Sequence, residues 1–504
     1  MKVFNRALVA SGHPLVSGAA AEILDSGGNA FDAIIAAGFA GTVAEPTLTS
    51  LGGGGFLLAG TAEPVDGRRH ILFDFFVDTP GLGLGSETPE PHFFPVTVHF
   101  PGSDQDFNVG LGSVAVPGNL KGFLHVHRRL GRLPVEKVLK PAIRMARDGV
   151  LVSESQAYFL SLLEPIMTSS DTGKKLYFSN DSIVACGDLF TNPELADFLE
   201  QLPEDMGHSF YHGAVADKIG DEMRRGQGLL TAEDLAVYKV VEREPLAACY
   251  RDFTLLTNPP PSMGGSLLVL AFDLLDKVSV TDMVCDSAEH LELLARLMIE
   301  VDRLRDEGLS QISDWQGAGI SRSFSRGTTH MSVSDSEGNV ASMTCSNGEG
   351  SGYFAPDTGI MLNNMMGEDD LHPDGFHASP PGQRVASMMS PSMLLRNDQV
   401  ELVIGSGGSK RIRTALLQVI NRLVDFGVSV QEAVEAPRLH WDGERLQMEP
   451  GFSETAIKAL AKQRPVNLWP GRDVYFGGVH AVIPGREGAG DPRRGGAVSI
   501  VDFL

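Results

Sequence analysis

The segment from Gly327 to Ser346 contains hydroxyl residues whose spacing could support nucleophilic chemistry. Residues 327–335 alternate in the manner of a strand, and residues 339–346 read as its partner. The three residues between them fit a hairpin loop in which Gly338 supplies the positive φ required at the third position. That loop length predicts that Thr328 lies opposite Ser346 across the hairpin.

This register separates polar from apolar side chains. One predicted face carries Thr328, His330, Ser332, Ser342, Thr344 and Ser346, with Val340 beside the turn as its apolar exception. The other face carries Thr329, Met331, Val333, Ala341, Met343 and Cys345. A loop of two or four residues would mix polar and apolar residues on both faces, so the patterning supports the same loop length as the turn chemistry.

A cut before Thr328 would give this residue a hydroxyl group and a free α-amine. An α-amine has a pKa near neutrality, about 7.7–8.0, and can serve as the base for the hydroxyl of its own residue. No separate histidine or aspartate is then required. The pattern therefore indicates an N-terminal nucleophile, and the alternative left open is a polar strand face exposed to water.

Predicted helices dominate the chain before this hairpin. Val16 to Ser26 reads as a helix closed by Gly27 and Gly28, and Asn29 is suited to cap the next helix. The periodicity further predicts strands at 56–59 and 71–77, mostly loops over 60–110, and helices at 120–130, 135–148, 288–307, 412–426 and 430–435. Because strands dominate from residue 328 onward, the chain divides into a helix-rich part, 1–327, and a strand-rich part, 328–504, of one intertwined unit.

Composition excludes several classes of protein. The 504 residues carry a formal charge of −23, which argues against binding to nucleic acid or to an anionic membrane. The four cysteines lack CxxC spacing, which excludes a disulfide-rich scaffold and the usual zinc motifs. No metal site or cofactor is predicted, and the absence of an apolar signal-peptide segment predicts a cytoplasmic protein.

Four further features have two interpretations each. Gly52 to Gly55 is either a flexible loop at a pocket edge or a backbone approached closely by another group, and it lacks the Lys-Ser/Thr of a phosphate loop. His125 and His127 could suggest a metal, although an HxH pair in a helix is more often on the surface. His330 could act as a base or form a structural hydrogen bond. Cys345 lies on the apolar face, where cysteine is usually part of the core.

The order of these motifs resembles that of the γ-glutamyltransferases, a family of N-terminal-nucleophile hydrolases, over nearly the whole chain. The matching segments are 27–33, 45–46, 51–56, 116–118, 258–262, 264–265, 328–330, Asp335, 338–339, 362–364, 405–409, 478–481 and 491–494. The resemblance implies an α+β fold, a four-layer αββα sandwich. It also implies self-cleavage between Gly327 and Thr328 into a large and a small subunit.

The resemblance assigns roles residue by residue. Thr328 would be the nucleophile, and Ser346 the second hydroxyl that hydrogen-bonds it. Gly407 and Gly408 would supply backbone N–H groups that stabilise the tetrahedral oxyanion. The acyl group of a γ-glutamyl amide donor would then pass to water or to an amine acceptor. Family members are often exported, and the resemblance leaves a homodimer open.

The positions expected to hold the donor depart from the family pattern. The arginine that usually clamps the donor carboxylate is replaced by Phe76, and a phenyl ring cannot form a bidentate guanidinium contact. Met365 replaces a polar residue, and Asp369 or Asp370 would keep the carboxylate that holds the amino group. The other positions matched to donor binding are Asn347, Asn364 and Ser387. Arg384, Lys410 and Arg411 are candidates to replace the clamp.

These observations predict a self-processing enzyme that transfers or hydrolyses a γ-glutamyl or related acyl group. The hypothesis for its substrate is a donor other than plain glutathione, or weak binding of glutathione. Two alternatives stay open: an amidase or acylase for a non-glutamyl substrate on the same scaffold, resembling the cephalosporin acylases, and an uncleaved homologue that only binds.

Overall fold

The strands form two large sheets and several small ones within the computed structural model, which describes residues 3–85, 89–100, 103–179, 182–307, 327–372 and 375–503. In chain order they are β1 (Arg6–Ser11), β2 (Gly54–Val65), β3 (Arg68–Phe75), β4 (Phe94–Phe100), β5 (Ser103–Val109), β6 (Val150–Leu151), β7 (Phe178–Ser179), β8 (Ser182–Ile183), β9 (Leu189–Phe190), β10 (Val241–Arg243), β11 (Leu246–Tyr250), β12 (Phe253–Thr257), β13 (Thr328–Ser334), β14 (Val340–Ser346), β15 (Phe354–Ala355), β16 (Ile360–Met361), β17 (Ser392–Arg396), β18 (Gln399–Gly407), β19 (Leu439–Trp441), β20 (Leu446–Met448), β21 (Val466–Leu468), β22 (Gly478–Ile483), β23 (Glu487–Ala489) and β24 (Ala497–Asp502).

The α-helices lie mostly in the first two thirds of the chain. They are α1 (Pro14–Asp25), α2 (Ala30–Ala44), α3 (Asn119–Leu130), α4 (Val135–Asp148), α5 (Glu154–Leu162), α6 (Glu164–Met167), α7 (Asp171–Tyr177), α8 (Pro193–Asp205), α9 (His208–His212), α10 (Ala214–Arg225), α11 (Ala232–Val237), α12 (Met263–Asp276), α13 (Ala288–Asp306), α14 (Arg411–Phe426), α15 (Val430–Glu435) and α16 (Glu454–Ala461). None of them, within the described ranges, is long and apolar enough to cross a membrane.

The first large sheet has the strand order β10-β3-β2-β14-β13-β1-β24. Its central hairpin pairs Thr328 with Ser346, which confirms the register predicted from the turn. Gly338 adopts a φ of 93°, and the carboxylate of Asp335 accepts the backbone N–H groups of Glu337 and Asn339 at 2.9 and 2.8 Å. These local bonds fix the loop length, so every residue of the hairpin faces the predicted side.

The second large sheet, in the order β11-β12-β17-β18-β22-β23, packs face to face on the first. β18 and β22 lie against β13. One apolar core joins α1 to α4 with the outer face of the first sheet, through residues such as Ala36, Phe123 and Met343. A second core lies between the two sheets and extends to α12, α13 and α14, with Leu58 and Ile404 among its members. The resulting layers confirm the predicted α+β αββα sandwich.

Most predicted helices are confirmed to within two residues. Asn29 caps α2 through a reciprocal capping box with Asp32. β2 is longer than predicted, because residues 54–65 are one strand rather than a short strand followed by loops. The flexible-loop interpretation of the four glycines is wrong for the last two, because Gly54 and Gly55 are the first residues of β2. A Cβ on Gly53 would lie 2.1 Å from the carbonyl oxygen of Ser346, so the backbones approach too closely for any other residue.

Candidate active site

Thr328 and Ser346 form a chain of hydrogen bonds with the peptide group that precedes the threonine. The Oγ1 atom of Thr328 donates to Ser346 Oγ at 3.3 Å. Ser346 Oγ in turn donates to the carbonyl oxygen of Gly327 and accepts the N–H of Gly348 at 3.0 Å. Ser346 therefore polarises the carbonyl of the peptide bond that a cut before Thr328 would break, and it also accepts the hydrogen bond of the attacking hydroxyl.

Gly327 occupies a position that only glycine fits. A Cβ at this residue would lie 1.6 Å from the carbonyl oxygen of Gly348. Its N–H donates to Glu349 Oε1 at 3.4 Å. The peptide bond between Gly327 and Thr328 is thus held from both sides, by Ser346 at its oxygen and by Glu349 at the preceding nitrogen.

The glycine pair at the end of β18 lies next to the threonine. A Cβ on Gly407 would come within 2.2 Å of the carbonyl oxygen of Thr328. Gly408 has a φ of 121°, a conformation that favours glycine, and its carbonyl accepts the N–H of Arg411 at 3.0 Å. The structure therefore brings Gly407 to Thr328, with Gly408 as the next residue along the chain, and their role as oxyanion donors stays a prediction.

Two buried charged residues near Thr328 had no predicted role. Arg494 donates from Nη1 to the carbonyl oxygen of Thr328 at 2.8 Å. Glu45, at the end of α2, accepts the hydroxyl of Thr329 at 3.0 Å. Burial raises the pKa of Glu45 to about 7, while the Thr329 hydrogen bond and the Arg494 charge act to lower it. Both residues lie in segments quoted for the family resemblance, and this was the sequence signal that could have drawn attention to them.

A small pocket, with a cavity volume of about 20 Å³, lies beside Thr328 and Ser346. Its other lining residues are Phe76, Met365, Glu368, Leu371, Ser387, Met388, Met389, Ser409 and Ile412. Six of these nine residues have apolar side chains, two are serines and one, Glu368, carries a carboxylate. None of these described lining residues is a lysine or an arginine.

Phe76 is part of the pocket wall and is firmly packed. Its ring stacks on Phe56 with centroids 5.4 Å apart, and its side chain is 1% exposed. Its carbonyl oxygen accepts hydrogen bonds from Arg384 and from the hydroxyl of Tyr238. The phenyl ring therefore occupies the wall where the family arginine was expected.

The candidate replacements for the missing arginine lie outside the pocket lining. Arg384 sits behind Phe76 and pairs with Asp74 at 3.2 Å and Asp78 at 2.9 Å. Arg411 donates from Nε to the carbonyl oxygen of Tyr475 at 3.0 Å, and Lys410 is buried. Because Arg384 and Arg411 are held by these partners, neither takes over the clamp in this structure.

The remaining predicted donor residues are divided between pocket and scaffold. Ser387 lines the pocket, where its Oγ accepts the N–H of Met389 at 3.1 Å. Asn364 instead secures the neighbouring loop, since its Oδ1 accepts the N–H of Glu349 at 2.9 Å. Asn347 is buried and directly follows Ser346, but it is not part of the lining.

A carboxylate that was not predicted lines the pocket, and it belongs to the same acidic run as the predicted Asp370. The side chain of Asp370 lies outside the described part of the structure. Glu368 lies in the pocket wall and is 6% exposed. Sequence reasoning chose between Asp369 and Asp370 and missed Glu368, although it belongs to the same acidic run after Asn364.

The other chemically suggestive residues have structural roles. His330 bonds Thr344 at 2.8 Å and Ser332 at 3.0 Å, and burial holds its pKa well below the usual value, which confirms the structural interpretation. Cys345 is buried, and burial raises the pKa of its thiol. Both residues are therefore unsuited to act as the base or the nucleophile.

The two histidines that could have suggested a metal site, His125 and His127, form hydrogen bonds with other residues of the protein. His125 contacts Glu242 at 3.2 Å, and His127 contacts the carbonyl oxygen of Leu133 at 2.8 Å. Cys285, Asp286 and His290 are close enough to hold a cation. However, both ring nitrogens of His290 have protein partners, and Asp286 pairs with Arg422 at 2.9 Å. These contacts make the group a poor fit for a metal ion.

Comparison with known proteins gives concordant results. The family model described as gamma-glutamyltranspeptidase matches residues 16–314 and 302–501. A glutathione hydrolase proenzyme of Escherichia coli (strain K12) is 30% identical over 546 residues, covering 96% of this chain and 90% of that protein. An acylase ACY 1 proenzyme of Pseudomonas sp. (strain SE83) is 31% identical over 486 residues, covering 90% and 86%.

A solved structure supports the fold. The crystal structure of cephalosporin acylase from Bacillus halodurans superposes with a TM-score of 0.81 at 24% identity, covering 99% of this chain and 96% of that one. The shared architecture extends over the helical layers, both sheets and the hairpin that carries Thr328.

Proposed function

The chain belongs to the γ-glutamyltranspeptidase family, and from this premise we propose that it is a self-cleaving amidohydrolase or acyltransferase with Thr328 as its nucleophile. The observation that carries the proposal is the hydrogen-bond chain from Thr328 through Ser346 to the Gly327 carbonyl. The same threonine would serve twice, first on its own peptide bond and later on a substrate amide.

Self-cleavage is the first proposed step. Thr328 Oγ1 attacks the carbonyl carbon of Gly327, and an ester forms as the peptide C–N bond breaks and its nitrogen takes a proton. Ser346 stabilises the charge that develops on the carbonyl oxygen. Water then hydrolyses the ester, which releases the carboxylate of Gly327 and leaves Thr328 with a free hydroxyl and α-amine. The products are chains 1–327 and 328–504.

Turnover of a substrate repeats this chemistry with the α-amine as base. The amine takes the proton of the Thr328 hydroxyl as Oγ1 attacks the amide carbonyl of the donor, and it then protonates the leaving amine. The acyl-threonine ester is resolved by water or by an acceptor amine. The backbone N–H groups of Gly407 and Gly408 are proposed as the donors to the oxyanion, and the close approach of Gly407 to the Thr328 carbonyl supports this role.

The pocket supports a donor that differs from plain glutathione. Its lining includes Phe76 and Met365 and lacks a guanidinium group among the described residues, so a donor carboxylate would have no bidentate partner there. Glu368 offers a carboxylate suited to an ammonium group. The proposed donor is therefore an amide whose acyl group carries an amine and is otherwise apolar, with γ-glutamyl amides as weak substrates.

An acylase for a non-glutamyl substrate whose acyl group carries no amine is the second candidate function. It is favoured by the same apolar lining and by the relative named acylase ACY 1. The two candidates share the nucleophile and the cleavage step, and they differ only in the acyl group that the pocket accepts.

The test of the proposed function begins with the denaturing intact mass of the wild-type protein beside Thr328→Ala. We expect two wild-type chains, the smaller beginning at Thr328, and an uncut variant. A single uncut wild-type chain would overturn the proposal in favour of a binding homologue.

The donor is then identified with a panel of p-nitroanilides carrying γ-glutamyl, glutaryl, α-aminoacyl or plain aliphatic acyl groups. Glu368→Gln serves as the pocket variant, and we expect it to lose preference for acyl groups with an amine. A kcat/KM for the γ-glutamyl compound that exceeds every other member of the panel would contradict the altered-donor part alone.

A further inference from the structure

Arg494 is buried against the residue proposed as nucleophile. Its Nη1 atom donates to the Thr328 carbonyl oxygen at 2.8 Å, and its side chain is 1% exposed. A Cβ on Gly407 would lie 3.1 Å from Nη1, and a Cβ on Gly478 would lie 2.3 Å from Cδ. The guanidinium thus reaches Thr328 across the paired residues Gly407 of β18 and Gly478 of β22, where the side chain of any other residue would crowd it.

The electrostatic surroundings of Arg494 come from several elements. Four charged residues act on it. Three are carboxylates: Asp491 in the same turn, Asp473 in the segment before β22, and Glu45 at the end of α2. The fourth is the cation Arg411 at the start of α14. Three further groups lie beside Thr328: Glu349, which accepts the Gly327 N–H, Glu368 in the pocket wall, and His330 on the same strand face, which burial keeps neutral. Of these charged groups, Arg494 contacts the threonine backbone directly.

We propose that the guanidinium of Arg494 keeps the α-amine of Thr328 uncharged near neutral pH, so that the amine can accept the proton of its own hydroxyl. This inference rests on the proposed function, because the amine exists only after cleavage. The amine and the carbonyl of Thr328 are attached to the same Cα. A protonated amine would therefore lie within the same residue as the carbonyl that binds the Arg494 guanidinium. A like charge at such a distance favours the neutral form of the amine.

Glu45 limits this effect without cancelling it. Its carboxylate attracts Arg494 and accepts the hydroxyl of Thr329, which lies one residue farther along the strand. Burial raises its pKa to about 7, so it carries only part of a negative charge at neutral pH. Arg494 therefore acts as a positioning residue through Thr328, and it requires no contact with substrate.

The first test compares Arg494→Gln and Arg494→Lys with the wild type. Arg422→Gln is the matched control, since Arg422 is equally buried but pairs with Asp286 instead of Thr328. Intact mass establishes cleavage first. The pH dependence of kcat/KM is then measured with the p-nitroanilide that the wild type hydrolyses fastest.

We expect the Arg494→Gln variant to shift the acidic limb of the curve of kcat/KM against pH. Loss of the neighbouring charge in Arg494→Gln should move the limb upward by about one pH unit. Arg494→Lys retains the charge and should keep the wild-type limb, as should Arg422→Gln. A purely structural role predicts that Arg494→Gln lowers kcat/KM by the same factor at every pH, and this result would overturn the inference.

A second measurement covers a variant that fails to fold or to cleave. The wild-type α-amine is titrated by its rate of carbamylation with cyanate at a series of pH values, read from the mass of the small chain. We expect a pKa below the ordinary α-amine range of about 7.7–8.0. A value within or above that range would refute the inference even if cleavage, and with it the proposed function, is established.

Discussion

The hydroxyl oxygens of Thr328 and Ser346 lie 3.3 Å apart at the open end of the β13–β14 hairpin, the outermost pair of a face lined with hydroxyl groups. Ser346 is also the group that donates to the carbonyl oxygen of Gly327. One side chain therefore serves both the attacking oxygen and the bond that it would break.

Replacing Ser346 with alanine should slow self-cleavage by about 10²- to 10³-fold, because a donor to a developing oxyanion has this effect on rate. Precursor decay, followed by denaturing gel or intact mass after synthesis, measures it. Ser342→Ala is the control, since Ser342 lies on the same strand face but donates to Ile404. Equal cleavage rates in the Ser346 variant and the control would contradict the role given to Ser346.

Gly407→Ala should block cleavage by displacing β13. Its new Cβ would lie 2.2 Å from the Thr328 carbonyl oxygen, a backbone atom that cannot move aside without shifting the strand. Gly471→Ala is the matched change, because a Cβ there meets nothing within 4 Å. Intact mass distinguishes the variants. A fully cleaved Gly407→Ala protein would contradict the prediction, because it would show that a methyl group fits between β18 and Thr328.

Truncating Phe76 to alanine should lower the free energy of unfolding by about 3–5 kcal/mol, the usual effect of removing a buried phenylalanine. The ring is 1% exposed and stacks on Phe56. Urea denaturation of the uncleaved Thr328→Ala background measures the change. Phe94→Ala, at a position 38% exposed, should have a much smaller effect. Similar losses at both positions would mean that Phe76 is not a packed part of the wall.

Glu45 makes stability depend on pH in a defined direction. Its pKa in the folded protein is about 7, against 4.5 without the protein environment, so the native state binds more protons than the unfolded state between these values. Stability is then lost as the pH rises through this window, by about 3 kcal/mol in total. Glu45→Gln removes the titrating group and should remove this loss.

The Glu45 prediction is checked by urea midpoints at pH 4.5 and pH 8 in the Thr328→Ala background. The stability gain of Glu45→Gln over its parent should be larger at the higher pH. Glu454→Gln is the control, because that carboxylate lies on the surface beside Lys458 and its replacement should change stability by less than about 1 kcal/mol. A gain from Glu45→Gln that does not grow with pH would rule out a raised pKa at this site.

The elements with strong local signals were predictable from the sequence. The hairpin register follows from three consecutive residues, since Gly338 takes the positive φ and Asp335 closes the loop with its carboxylate. The helix after Asn29 follows in the same way from its cap. In both cases the interactions that decide the structure lie within a few residues of one another.

The composition of the pocket was harder to predict from the sequence, because it depends on contacts between residues that are distant in the chain. Arg494 and Thr328 are 166 residues apart, and nothing near Arg494 in the chain indicates its partner. The position of Glu368 in the pocket wall depends on two short 3₁₀ turns after Asn364. Arg384 was a candidate to replace the clamp, and only its contacts with Tyr238 and Phe76 show that it lies behind the wall instead.

The order of the first sheet has a consequence for the molecularity of folding. β1 lies between β13 and β24, and β14 lies between β13 and β2, so strands from both sides of the Gly327–Thr328 bond alternate in one hydrogen-bonded layer. The precursor can assemble this layer in a unimolecular reaction. After the cut, an unfolded enzyme would have to recover it from two separate chains, at a rate that depends on concentration. Cleavage would thus make unfolding effectively irreversible in dilute solution. The lifetime of the cleaved enzyme would then depend on its unfolding rate.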